Sequence, residues 1–273
     1  LLKTLFARRG FTVETTSGPG SPVVFATLDA PSPTGTLTLY IHYDGQPVTA
    51  SEWTRCKPFA PCLYGPTGEV ALSPTTTLSP DWRLYGRSVS DDKGPIVAVL
   101  NAVEALRATG SGPTWNLRVV LDGEEEAGSR NFRSFADARA DALKADLAIT
   151  LDGPRHPSGR PTMYYGVRGG AGLTVTVFGA RSDLHSGNYG NWAPDPSMRL
   201  ARLLVSMKDD TGRVVIKGFY DDVTPLTPTE LKAIDEMPNV EAALKKDFLV
   251  AQPERAEQRL ERKLNEPTLS ILT

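Results

Sequence analysis

The chain has little of the two residue types that most often betray chemistry: among its 273 residues are two cysteines and three histidines. Cys56 and Cys62 lie in one loop. Two thiols with no second pair exclude a disulfide-rich scaffold or a zinc knuckle, and they read as reduced thiols of a cytoplasmic protein. Basic excess is also lacking. With 30 Lys and Arg against 32 Asp and Glu, the net charge is −2, so neither nucleic acid nor an anionic membrane is indicated as a partner. No apolar run approaches the roughly 18 residues of a membrane span. The opening "LLKTLFARRGFTVE" has no initiator Met and no signal-peptide core or cleavage site, so it reads as a processed chain or a fragment. Repeats and low-complexity tracts are missing. So are the G-x-S-x-G elbow, the P-loop, G-x-G-x-x-G after a strand, H-E-x-x-H, and any Cys–His catalytic pattern.

What is present suits one large or two ordinary globular domains, with 40% hydrophobic and 23% charged residues. Strands and helices alternate in the first half. "SPVVFATLDA" and "TLTLYIHYD" read as strands, rich in β-branched and aromatic residues. After a polar, Pro-rich stretch at 45–82, "DDKGPIVAVLNAVEALRATG" reads as an amphipathic helix. Pro95 is in its first turn, Gly110 at its end, and Ile96, Val99, Leu100, Val103 and Leu106 form one face. "NLRVVLD" and "ADLAITLD" read as buried strands flanking a helical "RNFRSFADARADALK". This alternation predicts an α/β fold with both sheet faces covered. Past about residue 166 the pattern changes to α+β: strands in "GGAGLTVTVFGA" and "GRVVIKGFY", and a helix in "DPSMRLARLLVSMKDD" capped by Asp195. A helix follows from the Thr227–Glu230 capping box, then a charged helix near 254–264 and the start of a strand in "EPTLSILT".

Acids and one His collect at the ends of the predicted strands: His42 and Asp44, Asp91 and Asp92 in "GRSVSDDKGP", Glu124–Glu126 in "LDGEEEAGS", and Asp152 in "ITLDG". His42 and Asp44, two apart on a strand, point to the same side. Open α/β sheets bind ligands at the carboxyl ends of their strands. Carboxylates converging there repel one another unless a divalent metal neutralises them. One His with two or three carboxylates suits zinc, manganese or cobalt. The remaining carboxylates, Asp44 and one Glu, then orient a ligand and act as general base.

In this order, "HYDGQPV", "LYGRSVSDDKGP", "EEEAGS", "LDG" and "DLHSG" resemble the signature of the co-catalytic zinc peptidases. That family includes carnosinase-type dipeptidases, glutamate carboxypeptidase, aminoacylase and succinyl-diaminopimelate desuccinylase. The resemblance implies an α/β catalytic domain with a mixed, largely parallel sheet (1–165) and an inserted α+β lid domain that makes a homodimer (166–273). It implies two divalent metal ions, zinc first, with manganese or cobalt as alternatives. His42 and Asp152 would bind the first metal, Glu126 the second, and Asp91 both. Asp44 would orient His42, Glu125 would be the general base, and a cis peptide would follow Asp91. His185 would reach across the dimer to hold the oxyanion, while His156 matches no motif and reads as a surface loop residue. The implied substrate is a short peptide, with N-acyl amino acid deacylation or a non-catalytic dimerisation or peptide-binding module as alternatives. The family's second-metal His and substrate-carboxylate Arg have no counterpart here, which implies a lid that is incomplete and a chain weak or inactive alone. The family's usual "GRG" reads "GRS" at Ser88.

Overall fold

The computed structural model describes residues 1–16 and 19–272. It divides into two compact units, Leu1–Pro154 and Arg155–Thr273.

The first unit begins with helix α1 (Leu2–Ala7) and strands β1 (Thr12–Thr15), β2 (Val24–Leu28) and β3 (Thr36–His42). A small antiparallel sheet follows from β4 (Cys62–Gly65), β5 (Gly68–Val70) and β6 (Arg83–Tyr85). Helix α2 (Lys93–Ala108), β7 (Asn116–Asp122), α3 (Arg130–Ala138) and β8 (Leu147–Thr150) complete the unit. The main sheet has the order β1-β2-β7-β3-β8, with β3 parallel to both β7 and β8 and an antiparallel β1–β2 edge. Alternation along β3 distributes its side chains to opposite faces. Leu39 and Ile41 join α1 and α2 in one core with Leu121, Val119, Ile96 and Leu100. Tyr40 turns to the other face and packs with Phe132 and Phe135 of α3, beside Val120. Helices on both faces make the three parallel strands end side by side. His42 is opposite Asp122 in register.

The strands at 24–28, 36–42 and 116–122 and the long helix form where the pattern places them. Several other expectations are corrected. Strand β8 is largely exposed, because it is the sheet edge and pairs with β3 alone among the described residues. The helix after Arg130 stops at Ala138. The Pro-rich 45–82 stretch contains most of the small three-stranded sheet. Cys56 and Cys62 are joined in a disulfide, their Cα atoms 6.0 Å apart across the turn that leads into β4, a separation within the bridging range.

The second unit contains α4 (Ser186–Tyr189), α5 (Pro196–Val205), α6 (Pro228–Glu236), α7 (Glu241–Asp247) and α8 (Leu260–Lys263). Asp195 caps α5 by accepting from the Ser197 and Met198 N–H groups, and the Thr227–Glu230 capping box closes the start of α6. The anticipated strands are missing among its described residues. The alternating stretch 169–180 finds no partner strand, and Leu173 and Phe178 remain exposed; an unpaired strand has nothing to satisfy its backbone. At 212–220 only the Lys208–Val214 bridge forms. There Asp209 captures the Thr211 and Arg213 N–H groups in a tight turn, and a further turn follows at Gly218 with φ +82°. Residues 267–272 form no strand, Thr273 lies outside the described residues, and the charged helix shortens to α8. His156 is buried rather than at the surface. Its Nδ1 accepts from the Ser158 N–H, and its Nε2 lies 3.9 Å from a Glu261 oxygen.

No helix among the described residues is long and apolar enough to cross a membrane. Leu121, fully buried between β3 and β2, tests the first core. Leu121→Ala is expected to lower the unfolding free energy by about 3 kcal/mol, seen as a shift of the urea midpoint at unchanged slope.

Candidate metal centre

The three parallel strands deliver their acids to one place because their carboxyl ends are level. At the end of β3, His42 is only 1% exposed. Its Nδ1 lies 3.1 Å from Asp44 Oδ1, and its Nε2 lies 2.7 Å from Asp91 Oδ1 and 3.9 Å from Asp152 Oδ2. Ligand atoms of His42, Asp91 and Asp152 all fall within 4.8 Å of one another, as do those of His42, Glu125 and Glu126. Every metal or base candidate read from the first half of the chain therefore meets around one imidazole. His185 belongs to the second unit, where its Nδ1 accepts from the Gly187 N–H at the start of α4.

The neighbouring acids divide the work in ways that spelling alone hides. Asp44 accepts from the Glu126 N–H at 3.1 Å while its other oxygen faces His42 Nδ1. A proton on Nδ1 toward Asp44 leaves the Nε2 lone pair directed at Asp91 and Asp152. The Asp91–Asp92 peptide is cis. Asp91 is largely exposed to solvent while its Oδ1 meets His42 Nε2, whereas Asp92 is buried and accepts from the His42 N–H at 3.2 Å. Of the three consecutive glutamates, Glu124 turns away. Its carboxylate accepts from the Ser21 and Asn131 N–H groups, tying the β1–β2 connection to α3. Glu125 and Glu126 face the imidazole, and the Gln46 amide donates to Glu126 Oε2.

Sequence reasoning missed two supports. Gln46 follows the His42–Asp44 pair closely in "HYDGQPV", and its proximity was the available signal. Ser88 sits at φ +60°, a left-handed conformation that favours glycine. Its buried hydroxyl donates to the Asp44 carbonyl at 2.9 Å, a bond that glycine has no atom to make. Gly45 leaves room for it, since a Cβ there would run into the Ser88 Oγ.

Charge and burial perturb the site. Burial alone pushes the His42 imidazole down, but the hydrogen bond to Asp91, the charges of Asp152 and Asp92 and the bond to Asp44 bring it above its ordinary value. Burial drives Asp92 up to about 7; Asp152 and Asp91 add to this, and the His42 N–H opposes it. Glu125 is raised by burial first and by Asp152, Glu126 and Asp44, with His42 opposing. The residues fit a divalent cation. The donors are one imidazole nitrogen and several carboxylate oxygens, and Glu126 Oε1 is a buried oxygen with no hydrogen-bond partner.

Known proteins resemble this chain along most of its length. Human Beta-Ala-His dipeptidase is 32% identical over 215 residues, covering 78% of this chain and 39% of that protein. The Cys-Gly metallodipeptidase dug1 of Schizosaccharomyces pombe is 29% identical over 260 residues, covering 93% of this chain and 51% of that protein. Among solved structures, the M20 family metallo-carboxypeptidase Sso-CP2 of Sulfolobus solfataricus superposes with a TM-score of 0.67 at 29% identity, over 97% of this chain and 55% of that one. Human carnosine dipeptidase 1 superposes with a TM-score of 0.62 at 26% identity, over 92% and 52%. The chain spans about half or less of the length of these relatives. The model of Peptidase family M20/M25/M40 matches residues 38–266. With that much of its length inside the match, the chain belongs to peptidase family M20/M25/M40.

Proposed function

We propose that the protein hydrolyses the amide bond of dipeptides or short peptides at a centre of two divalent ions, zinc in the first instance. The carrying observation is the meeting of His42, Asp91 and Asp152 beside Glu125 and Glu126. The names of the relatives, a Beta-Ala-His dipeptidase and a Cys-Gly metallodipeptidase, support the substrate class. His42, Asp91 and Asp152 would hold the first ion, and Asp91 with Glu126 would contribute to the second.

When bound, the ions supply Lewis acidity to a water and to the scissile carbonyl. The chain's own groups do the rest. Asp44 holds His42 in the tautomer that leaves Nε2 free, and Asp92 anchors the backbone at His42. Glu125 stands within reach of the site with a raised proton affinity, suited to accept a proton from the attacking water and pass it to the leaving amine. By its likeness to the family's lid motif, His185 would serve the site of a partner subunit in a homodimer, bonding the carbonyl oxygen as it takes up charge.

Glu125→Gln is expected to lower turnover of dipeptides by about a hundredfold to ten-thousandfold while zinc per chain, measured by elemental analysis, stays constant. Unchanged turnover would remove Glu125 from the mechanism, and turnover of acetyl-amino acids in place of dipeptides would make the protein a deacylase. The pH dependence has a definite sign. Metal binding needs neutral His42, whose proton is held more tightly than usual. Zinc affinity in calorimetric titrations is therefore expected to be high at alkaline pH and to fall about tenfold per unit once pH drops below the raised His42 value. His42→Gln should weaken binding throughout and remove that component of the slope.

A further inference from the structure

One hydroxyl grips the start of the loop that carries Glu125 and Glu126. Asp122 ends β7 immediately before this loop and is completely buried. Its Oδ2 accepts from the Tyr40 hydroxyl at 3.0 Å and its Oδ1 from the Glu124 N–H at 3.0 Å. Beyond this anchor the backbone closes on itself. The Ala127 and Ser129 N–H groups both donate to the Glu124 carbonyl, at 3.1 and 2.6 Å, and the turn passes through left-handed Gly128 and Ser129.

Tyr40 is well placed to act as a fixed post. It lies on β3 two residues before His42, on the same side of the strand, and its ring packs edge-on against Phe132 at 5.2 Å. The other side-chain ties to the Glu124–Glu126 arm run from Glu126 to the loop residues Asp44 and Gln46, and from Glu124 to Ser21 and to the Asn131 N–H of α3. Tyr40 instead connects the arm to the strand that carries the imidazole, so one of the links that set the spacing between His42 and the two glutamates runs through a side chain packed against the core.

We propose that Tyr40 is a positioning residue, its hydroxyl holding Asp122, and through it the Glu124 N–H, so that Glu125 and Glu126 face His42. This rests on the reading of Glu125 and Glu126 given above for its catalytic meaning, but its physical content is independent of any metal. The test is Tyr40→Phe in the full chain, which keeps the ring against Phe132 and deletes the hydroxyl. Amide hydrogen exchange is expected to accelerate about tenfold or more at Glu124, Ala127, Gly128 and Ser129, the scale of one to two ordinary hydrogen bonds. Exchange at Leu117–Leu121 of β7 should be unchanged. Val120→Ala serves as the control for a merely structural loss, which would speed exchange in β7 and the loop together. Asp122→Asn, which replaces one of the two accepting oxygens by a donor, gives a second route if Tyr40→Phe accumulates poorly. Loop amides exchanging at the wild-type rate in both variants would overturn the proposal, as would acceleration spread evenly over β7.

Zinc titration separates this outcome from failure of the functional reading. If Glu126 is a ligand, Tyr40→Phe and Glu126→Gln should weaken the same zinc equivalent and spare the one that depends on Asp152. If Glu126→Gln changes no zinc equivalent while Tyr40→Phe still loosens the loop, the ligand assignment fails and the positioning of the loop by Tyr40 stands.

Discussion

Negative charge gathered around one buried imidazole is the constraint on which the first unit depends. Asp44, Asp91 and Asp152 find their ion-pair partner in His42, and Glu125 and Glu126 crowd the same nitrogen from the β7 side. Left without a cation, such a cluster costs free energy through mutual repulsion and desolvation. The raised proton affinities of Asp92 and Glu125 express that cost. Much of the nearby architecture keeps the cluster from dispersing. Parallel strands end level, Asp92 pins the His42 backbone, and Ser88 adopts an uncommon conformation to hold Asp44.

The same constraint explains how much of the site was legible beforehand. Acids and a histidine at the ends of apolar strands are costly anywhere in a fold, so their repetition carries information that a single motif lacks. That logic found His42, Asp44, Asp91, Asp152 and the glutamate run. It did not extend to the division of labour within the run, because Glu124, Glu125 and Glu126 differ only in which way a short helical turn aims them. Ser88 was visible as a departure from the family's spelling, but its bond to the Asp44 carbonyl belongs to tertiary structure.

The fold divides along similar lines. Strands and helices of the first unit form where periodicity and burial coincide, as with Ile96, Val99, Leu100 and Val103 on α2. Caps that act through neighbouring atoms were also readable, as at Asp195 and Thr227. The stretch at 169–180 failed despite clean alternation, since a strand is defined by its neighbours as much as by its own residues. The cysteines illustrate the reverse error: counting them said nothing about the turn that brings their Cα atoms to bridging distance.

The two margins of the main sheet differ in how they meet solvent. On one side β1 is short and polar, and Glu14 is engaged by Arg139 at 2.5 Å. On the other, β8 offers Leu147 at 48% exposure and, among the described residues, a backbone row with β3 on one flank only. Such a margin is a template onto which any extended polypeptide can hydrogen-bond. In concentrated solution a second copy of the chain can pair there, through four residues remote in character from the acidic cluster.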